Sequence, residues 1–433
     1  MNSKLIKLLN IFLYLIGFYL FWKHFLVLQP NIMDMPFYDE WTMFDKGGLS
    51  STFDLKWLFT LHNENFILTT KLLFWFFYLF NHWDIYTNLL FNFLFFISIV
   101  LFFCFLIEKY YIIPSGFLFI LFSCILLWEN HSWAICAHWH FVIFFFLLAL
   151  LFLLLPPKYS WFSVIWITLS LFSYGIGIAF SLAYAGLSLY LYQVRKKMHY
   201  FILFTVVSLL SVLWFILIWS SHPTENTVLT MPFEPAFWNY FLNLFSLGFG
   251  FLQKEFLIGL VYLCFTLALF YFSFQKFKTS KERELLMVVF FFFMGLLGAI
   301  SLISAGRAKI ESVLKTTRYA EITLFFLCVA YILLFKLVQS GQKRVYFGIF
   351  ILTLVGLFYP FRKHFRFDIA YLGNFYQKRL LKECVKNYYQ ANDFSKCKDF
   401  EYFLTKEGFE RAKNLNLSFY QKISKELQIE NPK

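Results

Sequence analysis

The sequence predicts an all-α, polytopic membrane protein that crosses the bilayer about eleven times. Hydrophobic residues make up 60% of the 433 residues and charged residues only 15%, whereas soluble domains are nearer half apolar and a quarter charged. The apolar residues fall in repeated runs, most of them long enough for a helix to cross a hydrocarbon core of about 30 Å. No cleavage site follows the first run, so it is predicted to be a retained span.

The predicted spans, in chain order, are Leu5–Leu28, Asp84–Ile107, Ile112–Trp128, Trp139–Leu155, Ser160–Ser173, Ile176–Tyr192, Tyr200–Trp219, Phe256–Phe274, Leu285–Ser304, Tyr319–Gln339 and Val345–Pro360. Ser160–Ser173 is short and leads into Ser-Tyr-Gly-Ile-Gly, so a shallow hairpin is an alternative there. Phe66–Phe80 is also apolar, but it is shorter than a span and contains Lys71. Such a run favours a helix lying at the interface.

The distribution of charge predicts the orientation. Formal net charge is +13, and the basic residues concentrate in short loops and the C-terminal tail, which is the pattern of topology signals and lipid contact rather than of nucleic-acid binding. The basic loops are predicted inside, which places the first long loop, 29–83, outside. The chain then divides into a membrane domain, 1–360, and a small helical outer tail, 361–433.

The first outer loop carries two acidic motifs at membrane boundaries. Asp39-Glu40-Trp41 follows the first span, and His62-Asn63-Glu64 precedes the interfacial helix. Ionisable groups are costly at such positions unless they have a task, and aromatic residues flank both motifs. A half-buried site is predicted, with ordinary solvated acidic loops as the alternative.

A second polar cluster follows the third predicted span. It contains Trp128-Glu129-Asn130-His131 and then His138-Trp139-His140. Its spacing does not match a standard zinc pattern such as His-Glu-x-x-His. Polar anchoring beside a tryptophan belt is favoured, and metal ligation by these residues is the alternative.

The third cluster is a basic outer loop that runs against the positive-inside trend. It includes Gly306-Arg307, Lys309 and Arg318-Tyr319. Arginine binds phosphate through bidentate, charge-assisted hydrogen bonds, so this loop suits a lipid-linked phosphate. The alternative is that it pairs with Glu64 or Glu129 inside the protein.

Two cysteines of the tail differ from the other five. Cys384 and Cys397 lie in a polar setting in the predicted outer tail. In an oxidising compartment they are expected to form a disulfide. In a cytosolic tail they would be two unpaired thiols.

Taken together, these motifs resemble the GT-C superfamily of multi-span glycosyltransferases. The resemblance covers nearly the whole chain and rests on short motifs in a fixed order, Asp39-Glu40, His62-Asn63-Glu64, Trp128-Glu129-Asn130, Gly306-Arg307, Arg318-Tyr319 and the tail with Cys384, Cys397 and Leu415–Tyr420. Related bacterial proteins often continue His-Asn-Glu with His-Arg, whereas Asn65-Phe66 follow here. That difference removes a basic residue from the expected phosphate contacts.

The resemblance implies a GT-C-like architecture and an enzyme of the bacterial cytoplasmic membrane that uses a polyprenyl-phosphate sugar on the outer face. The acceptor would be a cell-surface glycan or a lipid-linked molecule. Asp39 is the implied general base, with Glu40 or Glu64 assisting. Arg307, Lys309, Arg318 and Tyr319 would bind the lipid phosphate, and substrate would contact His62, Asn63, Trp41, Trp128, Glu129 and His131.

A divalent metal, Mg²⁺ or Mn²⁺ bound by Asp39 and Glu64, is compatible with this chemistry but not required by it. Single displacement would invert the anomeric centre. Three alternatives stay open, which are a polysaccharide polymerase or ligase using a diphosphate-linked donor, a lipid-linked glycan flippase or other transporter, and a scaffold. A transporter would need ionisable residues along a path inside the bundle, and the sequence places few there.

Overall fold

The computed structural model describes residues 3–32, 34–45, 47–221, 229–250, 255–309, 317–340, 367–400 and 404–428. Across these ranges the regular structure is helical, and no β-strand occurs. The predicted all-α class is therefore confirmed for the described part of the chain.

The helices vary widely in length. The α-helices are α1 (Ser3–Leu28), α2 (Leu55–Leu58), α3 (Leu68–Asn81), α4 (Ile85–Tyr111), α5 (Gly116–Phe122), α6 (Trp128–Ser132), α7 (Ala137–Leu154), α8 (Pro157–Ser160), α9 (Phe162–Leu171), α10 (Gly177–Arg195), α11 (Met198–Ser221), α12 (Pro235–Leu247), α13 (Phe256–Lys276), α14 (Ser280–Arg307), α15 (Ala320–Ser340), α16 (Phe367–Ala391), α17 (Lys406–Asn414) and α18 (Ser418–Glu426). Short 3-10 helices cover Gln29–Asn31, Tyr38–Phe44, Ile125–Leu127, Ala134–Cys136, Thr317–Tyr319 and Ser395–Phe400.

Eight helical segments among the described residues are long and apolar enough to cross a membrane. They contain α1, α4, α7, α10, α11, α13, α14 and α15, and each corresponds to one predicted span. The chain is thus a multi-pass helical membrane protein, but the predicted count of eleven spans is not confirmed. The predicted span Val345–Pro360 lies outside the described residues.

The predicted span Ile112–Trp128 is not one continuous helix. Pro114 precedes α5, which is only seven residues long, and the chain then turns at Ser123 into a short 3-10 helix and α6. Every residue of α5 is buried by its neighbours. At Gly116 the backbone passes so close to α1 that an added Cβ would lie 2.7 Å from the Asn10 carbonyl oxygen. This run is apolar because it lies in the protein core, not because a full-length helix faces lipid.

The predicted span Ser160–Ser173 is also too short to be confirmed. Its main helix, α9, has ten residues, and α9 packs between α7 and α10. The following turn touches the start of α3, where the Leu68 amide donates to the Phe172 carbonyl at 3.0 Å and the Thr69 hydroxyl to the Ser173 hydroxyl at 2.9 Å. The turn that begins at Ser173 therefore lies beside the first loop.

The bundle has two distinct polar ends, which α14 connects. Near the start of α14, Glu284 pairs with Arg195 at the end of α10, at 2.6 Å. At the last residue of α14, Arg307 pairs with Glu64 of the first loop. We call these the opposite end and the loop end of the bundle.

The first loop and the tail pack against each other at the loop end. The Trp41 ring is fully buried, 4.9 Å from the Phe409 ring and 5.3 Å from the Phe419 ring. Lys422 of α18 forms ion pairs with Asp34 and Asp84. The described part of the tail therefore packs on the first loop.

A disulfide in the tail and a buried lysine in the first loop stabilise the loop end of the bundle. Cys384 and Cys397 are joined, as expected for an oxidised tail. The predicted interfacial helix corresponds to α3, which has 14 residues and is not among the segments of spanning length. Its Lys71 is buried, and the ammonium donates to the Trp57 carbonyl at 2.9 Å and to the Thr60 carbonyl and hydroxyl, both at 2.8 Å. Lys71 therefore fixes the loop that precedes His62.

Candidate functional site

Charged side chains from five separate elements meet at the loop end of the bundle. They are Asp39, Glu64, Glu129, Arg307 and Arg318, which we call the charge cluster. Burial raises the pKa of the Asp39 carboxyl, the charges of Arg318 and Arg307 act to lower it, and the charge of Glu64 acts to raise it. The three polar clusters that the sequence places far apart therefore converge on one site.

Asp39 is a half-buried carboxylate of the charge cluster, as are Glu64 and Glu129. It lies on the 3-10 helix Tyr38–Phe44, and its Oδ2 accepts a hydrogen bond from the Asn63 amide at 3.3 Å. Burial is the largest influence on this group and raises its pKa despite Arg318 and Arg307. A carboxylate with a raised pKa is a stronger base than an exposed aspartate.

The His62-Asn63-Glu64 motif forms the tip of a tight turn. The backbones of His62 and Asn65 pair in both directions, at 2.8 and 3.0 Å, and Asn63 adopts a left-handed φ of 51°, which asparagine tolerates better than most residues. This turn directs Asn63 towards Asp39 and Glu64 towards Arg307. Asn65, the point of difference from the family motif, contacts the backbone of Gly175 so closely that a Cβ there would lie 2.0 Å from its Oδ1.

His62 links the turn to the 3-10 helix that carries Asp39. Its Nδ1 lies 3.2 Å from the Thr42 hydroxyl, which itself donates to the Asp39 carbonyl at 2.8 Å. Burial, with a smaller effect of the Lys71 charge, lowers the pKa of His62 to about 3. The ring is therefore neutral at physiological pH and acts as a bridge between two loop segments.

Both predicted phosphate-binding arginines are close to carboxylates. Arg307 pairs with Glu64. Glu129 Oε2 accepts hydrogen bonds from the Arg318 backbone amide at 2.7 Å and the Thr317 hydroxyl at 2.8 Å. Burial raises the pKa of Glu129, and the Arg318 charge partly opposes that rise. The alternative that the basic loop pairs with Glu64 and Glu129 is therefore observed. Of that loop, residues 310–316 lie outside the described residues.

Aromatic rings form one wall of the site. The Arg318 guanidinium lies 5.6 Å from the Trp133 ring and 5.4 Å from the Tyr319 ring. The Tyr174 ring stacks on His138 at 4.1 Å and lies 4.6 Å from Trp139. Burial raises the pKa of Tyr174, and the charges of Glu64, Arg307 and Arg318 also act on it. Sequence reasoning missed Tyr174, although its position in a Ser-Tyr-Gly-Ile-Gly turn was a usable signal.

Glu40 does not share the surroundings of Asp39. Its carboxylate is buried and accepts hydrogen bonds from the amides of Phe37 at 2.8 Å and Ile135 at 3.0 Å. The buried Lys378 of the tail acts on it as a nearby positive charge. Burial raises the pKa of Glu40 to about 7 and lowers the pKa of Lys378 to about 8. Glu40 therefore lies at a structural joint between loop and tail rather than at the predicted catalytic position.

Three other predicted site residues are placed elsewhere. Trp41 is buried against the tail, and its Nε1 donates to the Pro36 carbonyl at 2.9 Å. Lys309 forms an ion pair with Glu234 at 2.5 Å. His131 is fully buried, its ring 4.9 Å from the His24 ring and 5.0 Å from the Phe93 ring. In the described part of the chain these positions give no contact to the charge cluster, and the substrate roles of Trp41 and His131 and the phosphate role of Lys309 stay predictions.

Two further predicted residues stay at the site. Trp128 begins α6 next to Glu129 and is half-buried. Tyr319 is buried beneath Arg318, and its ring lies 5.6 Å from the Trp139 ring. Tyr319 belongs to the aromatic surroundings of the charge cluster, and Trp128 is the chain neighbour of Glu129.

The predicted metal ligands, Asp39 and Glu64, do not form a metal site with their neighbours. Glu64 is bound by the Arg307 guanidinium and Asp39 by the Asn63 amide. Among the described residues, no group of three or more His, Cys, Asp or Glu side chains is placed to hold a metal ion. These contacts do not test the Mg²⁺ or Mn²⁺ that the chemistry would allow, and no step below is assigned to a metal.

Comparisons with known proteins assign no family to this arrangement. No protein-family model matches the chain, and neither the curated proteins nor the solved structures yield a match. The function therefore has to be inferred from the chemistry of the site itself.

Proposed function

We propose that this protein is a GT-C-like glycosyltransferase that moves a sugar from a polyprenyl-phosphate donor to a cell-surface glycan or lipid-linked acceptor. The observation that carries the proposal is the charge cluster, in which a half-buried aspartate of raised pKa lies near two arginines at one end of a membrane bundle. A base and fixed positive charges are the groups that sugar transfer from a phosphate requires.

In the proposed reaction an acceptor hydroxyl oxygen attacks the anomeric carbon. The bond between that carbon and the phosphate oxygen breaks, the electron pair leaves with the lipid phosphate, and the hydroxyl proton passes to Asp39. Attack opposite to the leaving group inverts the anomeric configuration. General-base help of this kind contributes about 10²–10⁴-fold to the rate.

Arg318 and Arg307 would stabilise the charge that develops on the leaving phosphate. Neighbouring groups already hold both guanidinium side chains or their backbone in place. Glu129 and the rings of Trp133 and Tyr319 hold Arg318 in place. Glu64 holds Arg307, so an incoming phosphate would share or replace that carboxylate.

The charge distribution supports an outward-facing site in the bacterial cytoplasmic membrane. The opposite end of the bundle carries Lys196 and Lys197, which follow α10, and Lys278 between α13 and α14, with Lys276, Lys281 and Arg283 at the adjoining helix ends. Short basic loops favour the cytoplasmic side. The charge cluster would then face the periplasm or cell exterior, where a tail disulfide can persist.

A lipid-linked glycan transporter is the second candidate, because the bundle holds more buried polar groups than the sequence suggested. His24, Asn92, His131, His140 and Glu321 are all fully or almost fully buried. They lie under the charge cluster, where Asn130 and His140 contact Glu321. A transport assay in liposomes with a fluorescent lipid-linked glycan distinguishes the two candidates.

The direct test is sugar transfer by the purified protein in proteoliposomes, with matched monophosphate- and diphosphate-linked polyprenyl sugars and an acceptor glycan. We expect transfer from the monophosphate donor. Because a charged hydrogen bond contributes about 1.5–3 kcal/mol, Arg318→Ala should lower kcat/KM by roughly 10- to 100-fold. Lys309→Ala is the matched control, since Lys309 pairs with Glu234 outside the cluster. Transfer from the diphosphate donor alone would indicate a polymerase or ligase instead.

A further inference from the structure

A fully buried carboxylate lies directly beneath the charge cluster. Glu321 is in the first turn of α15 and has no exposed surface. Its Oε2 accepts a hydrogen bond from the Asn130 amide at 2.9 Å, and its Oε1 lies 3.0 Å from His140 Nδ1. A buried carboxylate is costly without such partners, so this position depends on both.

These contacts join elements that are far apart in the sequence. Asn130 belongs to α6 and His140 to α7. The carbonyl of Asn130 also accepts a hydrogen bond from Asn92 of α4, at 2.8 Å. One carboxylate of α15 is thus at the centre of a polar layer that connects four helices.

Hydrogen bonds run in both directions between α6 and the segment that leads into α15. Glu129 of α6 accepts hydrogen bonds from Thr317 and Arg318, and the next residue, Asn130, donates to Glu321. Two neighbouring residues of α6 therefore contact the chain on both sides of Arg318, at Thr317 in the preceding 3-10 helix and at Glu321 in α15. We call this set the α6–α15 clamp.

α6 needs this clamp because it cannot hold its own position. It has only five residues, Trp128–Ser132, and a helix of that length has no independent stability in isolation. It also follows a broken segment rather than a continuous helix. The contact between Asn130 and Glu321 is one of the few that position α6 relative to Arg318.

We propose that Glu321 is a positioning residue for the charge cluster. Its carboxylate seats α6 against the start of α15 and so sets where Glu129 holds Arg318, without touching substrate. The structural part of this proposal is independent of the reaction. Its effect on catalysis rests on the proposed glycosyltransferase function.

Hydrogen–deuterium exchange on the full-length protein in detergent tests the structural part. In Glu321→Ala, amides of residues 128–133 and 317–319 should exchange about tenfold faster or more, because local opening there becomes easier. Residues 406–414 in the tail should be unchanged. Thr323→Val is the matched control, since Thr323 is buried on the same helix but donates only to the Ala320 carbonyl.

If Glu321→Ala does not fold, Glu321→Gln decides the question. Glutamine keeps an acceptor for Asn130 but loses one carboxylate oxygen, so the same segments should show a smaller rise than tenfold and still exceed Thr323→Val. Unchanged exchange at 128–133 in a folded Glu321 variant overturns the proposal.

Kinetics in the transfer assay test the link to the site. A displaced arginine should lower kcat by about 10- to 100-fold, and Glu321→Ala should have less effect in a Glu129→Gln background than in the wild type. Additive effects would show that Glu321 does not act through Glu129 and would overturn its positioning role. Absence of transfer by the wild-type protein would instead overturn the proposed function, and the exchange experiment would still decide the role of Glu321.

Discussion

Asp39 and Glu40 are consecutive acids whose side chains enter two different regions of the molecule. Asp39 enters the charge cluster, where it is half-buried near Arg318, Arg307 and Asn63. Glu40 enters the joint between loop and tail, where it is fully buried and bound by backbone amides. Successive residues of a 3-10 helix point about 120° apart, so the local backbone sends the two carboxylates in different directions.

The two surroundings favour different roles, that of the proposed base for Asp39 and a structural role for Glu40. Both carboxyls have a raised pKa, and burial is the largest cause for each. Only Asp39 combines that raised pKa with exposure to an incoming molecule and with nearby arginines. Two adjacent acids in a motif therefore need not share one task, and substitutions at the two positions should have different consequences.

The largest expected effect is on transfer activity in Asp39→Asn. Removal of the proposed base should lower kcat by about 10²–10⁴-fold, while the thermal midpoint stays close to wild type because asparagine fits the same half-buried position. Steady-state kinetics and thermal unfolding in detergent check this. Asp54→Asn is the control, since that first-loop carboxylate only caps α2. Full activity in folded Asp39→Asn would exclude Asp39 as the base.

The next largest effect is on stability in Glu40→Ala. Truncation leaves the Phe37 and Ile135 amides and the buried Lys378 without their carboxylate. Leaving two buried amide donors without an acceptor costs about 1–3 kcal/mol each, so the free energy of unfolding should fall by about 2–6 kcal/mol. Glu40→Gln, which keeps an acceptor, should lose less and retain most transfer activity per folded molecule. A thermal midpoint unchanged in Glu40→Ala would contradict the proposed joint.

The tail disulfide belongs to the region of Glu40. The helix α16 carries both Lys378 and Cys384, and the bridge to Cys397 closes a loop with a sequence separation of 13. A bridge across about 15 residues contributes roughly 3 kcal/mol in the chain-entropy model. Cys384→Ser/Cys397→Ser should therefore lower the stability of the tail, measured by exchange at 377–391, and leave the kcat of folded protein within about twofold. A large loss of kcat would show that the two regions are coupled.

Raising the pH should increase the transfer rate that depends on Asp39 and lower the stability of the region around Glu40. Asp39 must be ionised to accept a proton, so kcat/KM should rise with pH through a pKa above the ordinary value of about 3.9. The folded state holds Glu40 protonated up to about pH 7, whereas the unfolded chain releases that proton earlier. Stability relative to Glu40→Gln should therefore fall as pH rises towards 7. Parallel pH–rate and pH–unfolding profiles check both signs, and a rate that falls over this range would contradict the first.

The sequence predicted the long lipid-facing helices well, because spanning length and hydropathy are local properties. It failed for Ile112–Trp128, where the same apolar composition reflects burial in protein. Hydropathy does not distinguish a helix covered by lipid from one covered by other helices.

The site was predictable in its composition but not in its contacts. The acidic and basic motifs that meet in the charge cluster were all found in the sequence. The sequence did not indicate that Glu40 would bind the Ile135 amide, 95 residues away, or that His131 would face His24 and Phe93. These positions depend on which face of a short helix turns inward, and that is set by tertiary packing.

The length of chain between the two halves of the α6–α15 clamp has a consequence for biosynthesis. Glu129 and Arg318 are 189 residues apart, and Glu64 and Arg307 are 243 apart. During translation, the first loop and α6 leave the ribosome long before their partners exist. The broken segment around α5 and α6 has neither lipid-facing length nor its contacts to Thr317, Arg318 and Glu321 at that stage. Assembly of the charge cluster must therefore wait until the segment that leads into α15 has been synthesised.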